Sequence, residues 1–255
     1  MEKPKVFISH VKEEKDLAII LKEEINKAFL GLPDVFVSSD GESISIGTRW
    51  LDEIDTALKN AQIILLLCSK EAVKRPWINF EAGAGWVKGI PVIPICHTNI
   101  KPVELPIPLN MLQGIEAGNK DGLKKIFEMV GKQLGVTNTP EVQYERIIEG
   151  IRSFEKQYGI VEVVKFHVNQ IISVEPQLKQ LFVPNPSNKR GSGYMRDLAI
   201  DKMKPHLIKL KEMGFIDFGL GANQISFGPN GGNEVEFNLV VFDAYYEIAD
   251  MIINK

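Results

Sequence analysis

Short apolar segments alternate with amphipathic helical segments over the first 135 residues, and this alternation restricts the fold more than any other feature. The apolar segments lie at 6–8, 35–37, 63–68 and 91–96, and a helical pattern follows each of them. Segment 63–68 is apolar at consecutive positions, which is typical of a parallel strand that is covered on both faces. The alternation therefore predicts an α/β domain with a doubly wound parallel sheet.

The alternation ends at a polar segment with glycine and proline, residues 135–140. We predict a first domain at 1–135, a connecting helix or linker at 136–160 and a smaller α+β domain at 161–255. Within the last part, 161–181 and 194–213 have helical patterns, whereas 183–193 has a loop composition. The glycine-rich turn 228–232 lies between strand signals at 225–227 and 235–241, and this order of elements suggests a winged-helix-like module.

The composition of the chain argues against several classes of function. The 30 Lys and Arg residues are balanced by 33 Asp and Glu residues, which argues against a general binder of nucleic-acid backbones. Cys68 and Cys96 are too few for a disulfide framework, and buried reduced cysteines suit the cytoplasm. We expect no membrane partner, because no long apolar stretch occurs, and no metal, because His97, His167 and His206 lack partners at metal-ligand spacing.

Polar residues that could take part in binding or catalysis lie where the predicted strands end. Ser9 and His10 follow the first strand, Ser39 and Asp40 follow the second, and the polar loop continues to Gly47. Ligands of open α/β sheets bind at the carboxyl ends of the strands. We therefore expect these five residues to contact a substrate.

Trp77 and Glu81 are four residues apart near the start of a predicted helix, so they share one face. An aromatic wall beside a carboxylate can hold a flat ring next to a sugar. The carboxylate can bind ribose hydroxyls and stabilise an oxocarbenium-like transition state. The alternative is that Glu81 is a solvated helix residue and that Trp77 packs in the core. With Glu81 at the helix surface, its replacement should cost little stability.

Gly83 and Gly85 begin a pattern that resembles a dinucleotide-binding loop, but the third glycine position is Lys88. The two glycines also lie inside a helix and not at a strand-to-helix turn. We interpret them as sites of close helix packing.

Four segments, in this order and spacing, resemble a bacterial TIR (Toll/interleukin-1 receptor) domain. They are KVFISH at 5–10, GTRWLDEI at 47–54, LLCS at 66–69 and PWINFEAG at 76–83. The resemblance extends over about residues 4–135 and implies a flavodoxin-like sheet. Glu81 matches the glutamate of catalytic TIR domains, which often follows a tryptophan by four residues. Segment 40–47 corresponds to the family's BB loop, which borders the pocket and mediates self-association.

The resemblance implies an NAD+ hydrolase or cyclase, with NAD+ as the substrate and no cofactor. The products would be nicotinamide and linear or cyclic ADP-ribose. It further implies an effector in bacterial anti-phage or stress signalling that is activated by homo-oligomerisation. Two alternatives stay open: a non-enzymatic adaptor that works through homotypic TIR contacts, and an enzyme that transfers ribosyl groups of nucleosides or nucleotides.

The C-terminal part contains a cationic stretch with seven Lys or Arg residues and two Asp residues between 189 and 211. The cations are Lys189, Arg190, Arg196, Lys202, Lys204, Lys209 and Lys211. One interpretation is a solvated helix face. The other is a recognition element for nucleic acid or another anionic trigger.

Overall fold

The computed structural model describes residues 5–38, 50–136, 140–226 and 233–252, and the chain divides into two compact units, Met1–Tyr158 and Gly159–Lys255. The strands of the first unit are β1 (Lys5–Ser9), β2 (Asp34–Val37), β3 (Ala61–Cys68), β4 (Val92–Cys96) and β5 (Ile115–Glu116). Its helices are α1 (Lys15–Ala28), α2 (Trp50–Asn60), α3 (Pro76–Lys88), α4 (Lys120–Gln133) and the first half of α5 (Tyr144–Val174).

The five strands of the first unit form one parallel sheet in the order β2-β1-β3-β4-β5. This order is that of flavodoxin-like folds, so the predicted fold class is confirmed. The order reverses between β1 and β3, and ligands of such sheets bind beside the carboxyl ends of the strands at this point. The short strand β5 was not predicted, because two residues carry no periodicity.

Helices cover both faces of this sheet because side chains alternate along each strand. Val6 and Ile8 of β1 pack in the apolar cluster with α1, α4 and the first half of α5. Phe7 lies on the opposite face, in the cluster with α2 and α3, and its ring stacks on Phe36 of β2 at 5.4 Å between centroids. The two faces of β1 therefore belong to different halves of the core.

Helix α5 is continuous from Tyr144 to Val174, whereas the sequence pattern predicted two separate helices. Its first half carries Ile147, Ile151 and Phe154, which are buried in the core of the first unit. The first unit therefore extends to Tyr158, past the predicted boundary at 135. Packing explains this, since an amphipathic helix gains most of its stability from its buried face.

The second unit contains an antiparallel sheet in the order β6-β8-β7, formed by β6 (Arg190–Arg196), β7 (Ile216–Ser226) and β8 (Asn233–Val241). Its helices are the second half of α5, α6 (Lys179–Phe182), α7 (Asp197–Glu212), α8 (Asp243–Tyr246) and α9 (Ala249–Ile252). The predicted smaller α+β region is confirmed. Strands β7 and β8 pair antiparallel from Ile216 opposite Val241 to Ser226 opposite Asn233, as the hairpin prediction requires. The turn 228–232 itself lies outside the described residues.

Strand β6 corrects the interpretation of 183–193 as loop and of 194–213 as helix. Gly191 and Gly193 give this segment little strand propensity, and most of its residues are exposed. Pairing with β8, which lies far away in the sequence, holds the segment in extended form. Helix α7 consequently begins only at Asp197.

Gly85 and Gly83 of α3 differ in the space around them, and we expect opposite effects of alanine at these positions. A Cβ atom at Gly85 would lie 2.5 Å from Val92 Cγ2 and 2.7 Å from Ile64 Cδ1, whereas at Gly83 nothing lies within 4 Å. Gly85→Ala should lower the free energy of unfolding by about 1–3 kcal/mol through overpacking. Gly83→Ala should leave it unchanged or raise it by up to about 1 kcal/mol.

Urea unfolding followed by tryptophan fluorescence measures this difference, since all three tryptophans of the chain lie in the first unit. A similar loss of stability in both variants would show that α3 does not approach the sheet closely at Gly85. The predicted close packing is thus confirmed at Gly85 and absent at Gly83.

No helix within the described ranges is long and apolar enough to cross a lipid bilayer.

Candidate functional site

Helix α3 carries the candidate catalytic residue. Pro76 occupies its first turn, and the helix ends at Gly89, whose φ of 71° is left-handed and favours glycine. Glu81 is 0% exposed, so the expectation of a surface carboxylate is wrong. The reason is helical spacing, because Glu81 lies on the same face as Ile78, Ala82 and Gly85, which pack toward the sheet.

Both oxygens of the Glu81 carboxylate accept hydrogen bonds. Ser9, the last residue of β1, donates its hydroxyl to Oε2, and the Trp77 ring donates Nε1–H to Oε1 at 2.9 Å. The structure therefore brings together Ser9, Trp77 and Glu81 at the carboxyl end of β1. Buried carboxylates need such partners, because an unpaired buried charge is strongly disfavoured.

Trp77 connects this buried carboxylate with an open cleft. Its ring stacks on Phe80 with 5.0 Å between the centroids. Both rings line a cleft of about 620 Å³ between α2 and α3. One edge of Trp77 thus contacts Glu81 while the ring lines a space that can hold a ligand.

His10 is 1% exposed and lies directly after Ser9. Its Nδ1–H donates to the carbonyl of Val11 at 2.6 Å, so Nε2 carries the lone pair of the neutral ring. Nε2 has no hydrogen-bond partner among the described residues. Burial lowers the pKa of His10 below its ordinary value of 6.5, although the Val11 carbonyl and Glu14 act in the opposite direction. His10 is therefore a neutral acceptor at pH 7.

We expect His10 to titrate by NMR with a midpoint below pH 6.5. Because of this lowered pKa, the free energy of unfolding should depend on pH. Because the unfolded chain binds the proton more readily, stability attributable to His10 is complete above pH 6.5 and falls as the pH drops toward the folded pKa. The variant His10→Gln should lack this contribution to acid sensitivity. A midpoint at or above 6.5 would contradict the buried neutral form.

A buried polar cluster beside this site was not predicted. Glu14 accepts the backbone N–H of Val11 at 3.0 Å and lies 2.9 Å from Nε2 of His97, which follows β4. The His97 ring packs edge-on against Tyr158, whose hydroxyl lies 3.1 Å from Ser69 Oγ. Glu14 and His97 are 83 residues apart, so no local pattern joins them. The only local signal was a histidine directly after an apolar strand.

Three predicted substrate-binding residues, Ser39, Asp40 and Gly47, lie outside the described residues, and their roles stay predictions. Ser38, which directly follows β2, is described. It is 1% exposed, and its hydroxyl has no partner among the described residues.

The described residues contain no group of three or more His, Cys, Asp or Glu that could hold a metal ion. His167 and His206, for which the sequence showed no partners, face each other with 2.8 Å between their Nδ1 atoms. Burial raises the pKa of the Cys68 thiol, and that of Cys96 to about 12, so both thiols stay protonated.

The cationic stretch 189–211 is neutralised in part by nearby carboxylates. Lys189 pairs with Asp243, Lys209 with Glu212 at 3.7 Å, and Lys211 with Asp217 at 2.6 Å. Arg190, Arg196, Lys202 and Lys204 form no ion pair within the part of the chain that the structure describes. Fewer cations of this stretch are therefore available to an anionic partner than the sequence count suggests.

Comparison with known proteins identifies one domain family. No curated protein matches the chain significantly. The sequence profile of the TIR domain family matches residues 6–127, which span β1 to most of α4 and include Ser9, Trp77 and Glu81. Residues 6–127 of this chain are therefore a TIR domain.

Proposed function

We propose that this protein cleaves NAD+ at the bond between nicotinamide and ribose. One observation carries the proposal: the Glu81 carboxylate receives hydrogen bonds from Ser9 and from Trp77, whose ring lines a cleft. This arrangement joins an anion, which can stabilise a ribosyl cation, to an aromatic surface, which can hold a flat ring.

The reaction needs only one carboxylate. The bond between C1′ of the ribose and the pyridinium nitrogen breaks, and its electron pair neutralises the departing nicotinamide. Since this leaving group is already cationic, no general acid has to protonate it. Glu81 stabilises the positive charge that develops on the ribose. Water then bonds to C1′ and releases a proton, which gives linear ADP-ribose; attack on C1′ by a nucleophile of the same molecule gives a cyclic product.

Self-association is the proposed activating event. Glu81 is completely buried in this structure, so the carboxylate must become accessible before it meets a substrate. TIR domains generally interact homotypically. A contact surface is available on α3 and the segment 102–112, which expose six large apolar side chains. They are Phe80, Trp86, Val87, Val103, Ile107 and Met111.

Chromatographic assay of NAD+ with the purified chain tests the proposal. We expect nicotinamide release that rises more steeply than linearly with protein concentration. Free nucleosides in parallel reactions test the alternative of a nucleoside ribosyl-transferring enzyme. Cleavage of nucleosides without cleavage of NAD+ would exclude the proposed substrate.

A non-enzymatic TIR scaffold is the second candidate. The full burial of Glu81 favours it, because a carboxylate satisfied by Ser9 and Trp77 also serves a purely structural role. A scaffold should self-associate, by light scattering, without releasing nicotinamide at any concentration.

We propose for the second unit a role in sensing or assembly. Four cations that form no ion pair among the described residues, Arg190, Arg196, Lys202 and Lys204, support an anionic trigger, including a nucleic acid. We further propose that the protein acts in the cytoplasm, as an effector in anti-phage or stress signalling. Its two buried protonated thiols suit a reducing compartment.

A further inference from the structure

Ser38 has a buried hydroxyl group to which no described residue forms a hydrogen bond. It is 1% exposed, and its Oγ has no hydrogen-bond partner among the described residues. Most buried polar groups of native proteins are satisfied, so an unsatisfied hydroxyl calls for an explanation. A ligand that supplies the missing partner is one such explanation.

The sheet places Ser38 on the same face as Ser9. β1 and β2 are parallel, with Phe7 opposite Phe36 and Ile8 opposite Val37. The Ser38 N–H continues this ladder by donating to the Ile8 carbonyl at 2.9 Å. Phe7 and Phe36 stack on the face that α2 and α3 cover. Because side chains alternate, Ser9 and Ser38, two residues further along, lie on that face as well.

The two serines differ in their hydrogen bonding. Both are buried and both lie on the α3 face; Ser9 is the last residue of β1, and Ser38 directly follows the neighbouring strand β2. The Ser9 hydroxyl donates to Glu81, whereas the Ser38 hydroxyl has no hydrogen-bond partner among the described residues. The Ser38 hydroxyl therefore lies next to β1, whose Ser9 bonds the candidate catalytic carboxylate of Glu81.

We propose that Ser38 is a substrate-binding residue of the Glu81 site and that its hydroxyl bonds a ribose hydroxyl of the ligand. This inference rests on the proposed function. A serine hydroxyl both donates and accepts, and so matches a neutral hydroxyl group. In the proposed reaction Glu81 acts on the same ribose. A hydroxyl group of that sugar then lies near the carboxyl ends of β1 and β2.

The variants Ser38→Ala and Ser9→Ala form a matched pair. Ser38→Ala removes an unsatisfied hydroxyl, so its urea midpoint should equal or exceed that of the wild type. Ser9→Ala removes a donor from a buried carboxylate, so its midpoint should fall. Tryptophan fluorescence measures both midpoints in the full chain. An equal fall in both variants would show that the Ser38 hydroxyl is bonded within the fold, and would overturn the inference.

The ligand measurements then test the role. Ser38→Ala should raise the KM for NAD+ about tenfold with little change in kcat, and weaken binding of ADP-ribose by a similar factor. Inhibition by free nicotinamide, which has no ribose, should stay unchanged. If Ser38→Ala fails to fold, Ser38→Cys retains the size of the side chain with a weaker hydrogen bond and should show the same shifts.

The two proposals fail in different ways. An unchanged KM and unchanged ADP-ribose binding in an active protein would overturn the role of Ser38 alone. A wild-type protein that neither cleaves NAD+ nor binds ADP-ribose would overturn the proposed function and this inference with it.

Discussion

Replacement of Glu81 by glutamine is expected to lower the rate of NAD+ cleavage by about 100-fold or more. The amide has nearly the same shape but no negative charge, so it cannot stabilise the ribosyl cation electrostatically. One of its two terminal groups can still accept a hydrogen bond from Ser9 or Trp77, which helps the variant to keep its fold. The measurement is nicotinamide release at the protein concentration that gives the wild-type maximum.

Two further variants make this result specific. Glu81→Asp keeps the negative charge on a side chain that is one methylene group shorter, and should retain more activity than Glu81→Gln. Glu128→Gln neutralises an exposed carboxylate on α4 and should leave the rate unchanged. If Glu81→Gln were as active as the wild type while still folded by tryptophan fluorescence, Glu81 would not be the catalytic residue.

The largest stability effect is expected at the buried pair of Glu14 and His97, whose side chains are both 0% exposed. In His97→Leu, the Glu14 carboxylate keeps the Val11 N–H and loses its other observed partner. Breaking one side of a buried polar pair costs about 3 kcal/mol or more. Urea unfolding followed by tryptophan fluorescence should report this loss.

An exposed ion pair in the same unit serves as the control. Asp55 and Lys59 lie 2.5 Å apart on α2, with exposed side chains. Asp55→Asn should change the free energy of unfolding by no more than about 0.5 kcal/mol, because solvent screens this pair. The double variant Glu14→Leu with His97→Leu should lose less than the sum of the single variants. Equal effects at the buried and the exposed pair would contradict the proposed role of burial.

Sequence reasoning reached the candidate site through local spacing. Trp77 and Glu81 are one helical turn apart, so their contact follows from helix geometry once the helix is recognised. The expectation that Glu81 is exposed was wrong, although the spacing of Ile78, Ala82 and Gly85 already indicated the buried face. Residue type alone predicts a solvated carboxylate, and the apolar neighbours on the same helix face outweigh that preference.

Elements that depend on contacts between residues far apart in the sequence could not be predicted from local patterns. Strand β6 has too many glycines and exposed residues to be recognised alone, and its partner β8 begins only after α7 and β7. The sequence pattern predicts two helices where α5 is continuous, and β-branched residues weaken the helical pattern of the second half. Val161, Val164 and Val168 are buried at helical spacing, so packing outweighs their low helix propensity.

The sequence alone determined the alternation of strands and helices, from which the parallel sheet of the first unit is inferred, and the shared helix face of Trp77 and Glu81, because each of these patterns is local. Only the tertiary structure decided that Ser9 reaches Glu81 across 72 residues, and that Glu14 reaches His97 across 83. It also shows that the Ser38 hydroxyl has no hydrogen-bond partner in the part of the chain that the structure describes. These contacts depend on how the strands are ordered in the sheet, and local periodicity does not encode that order.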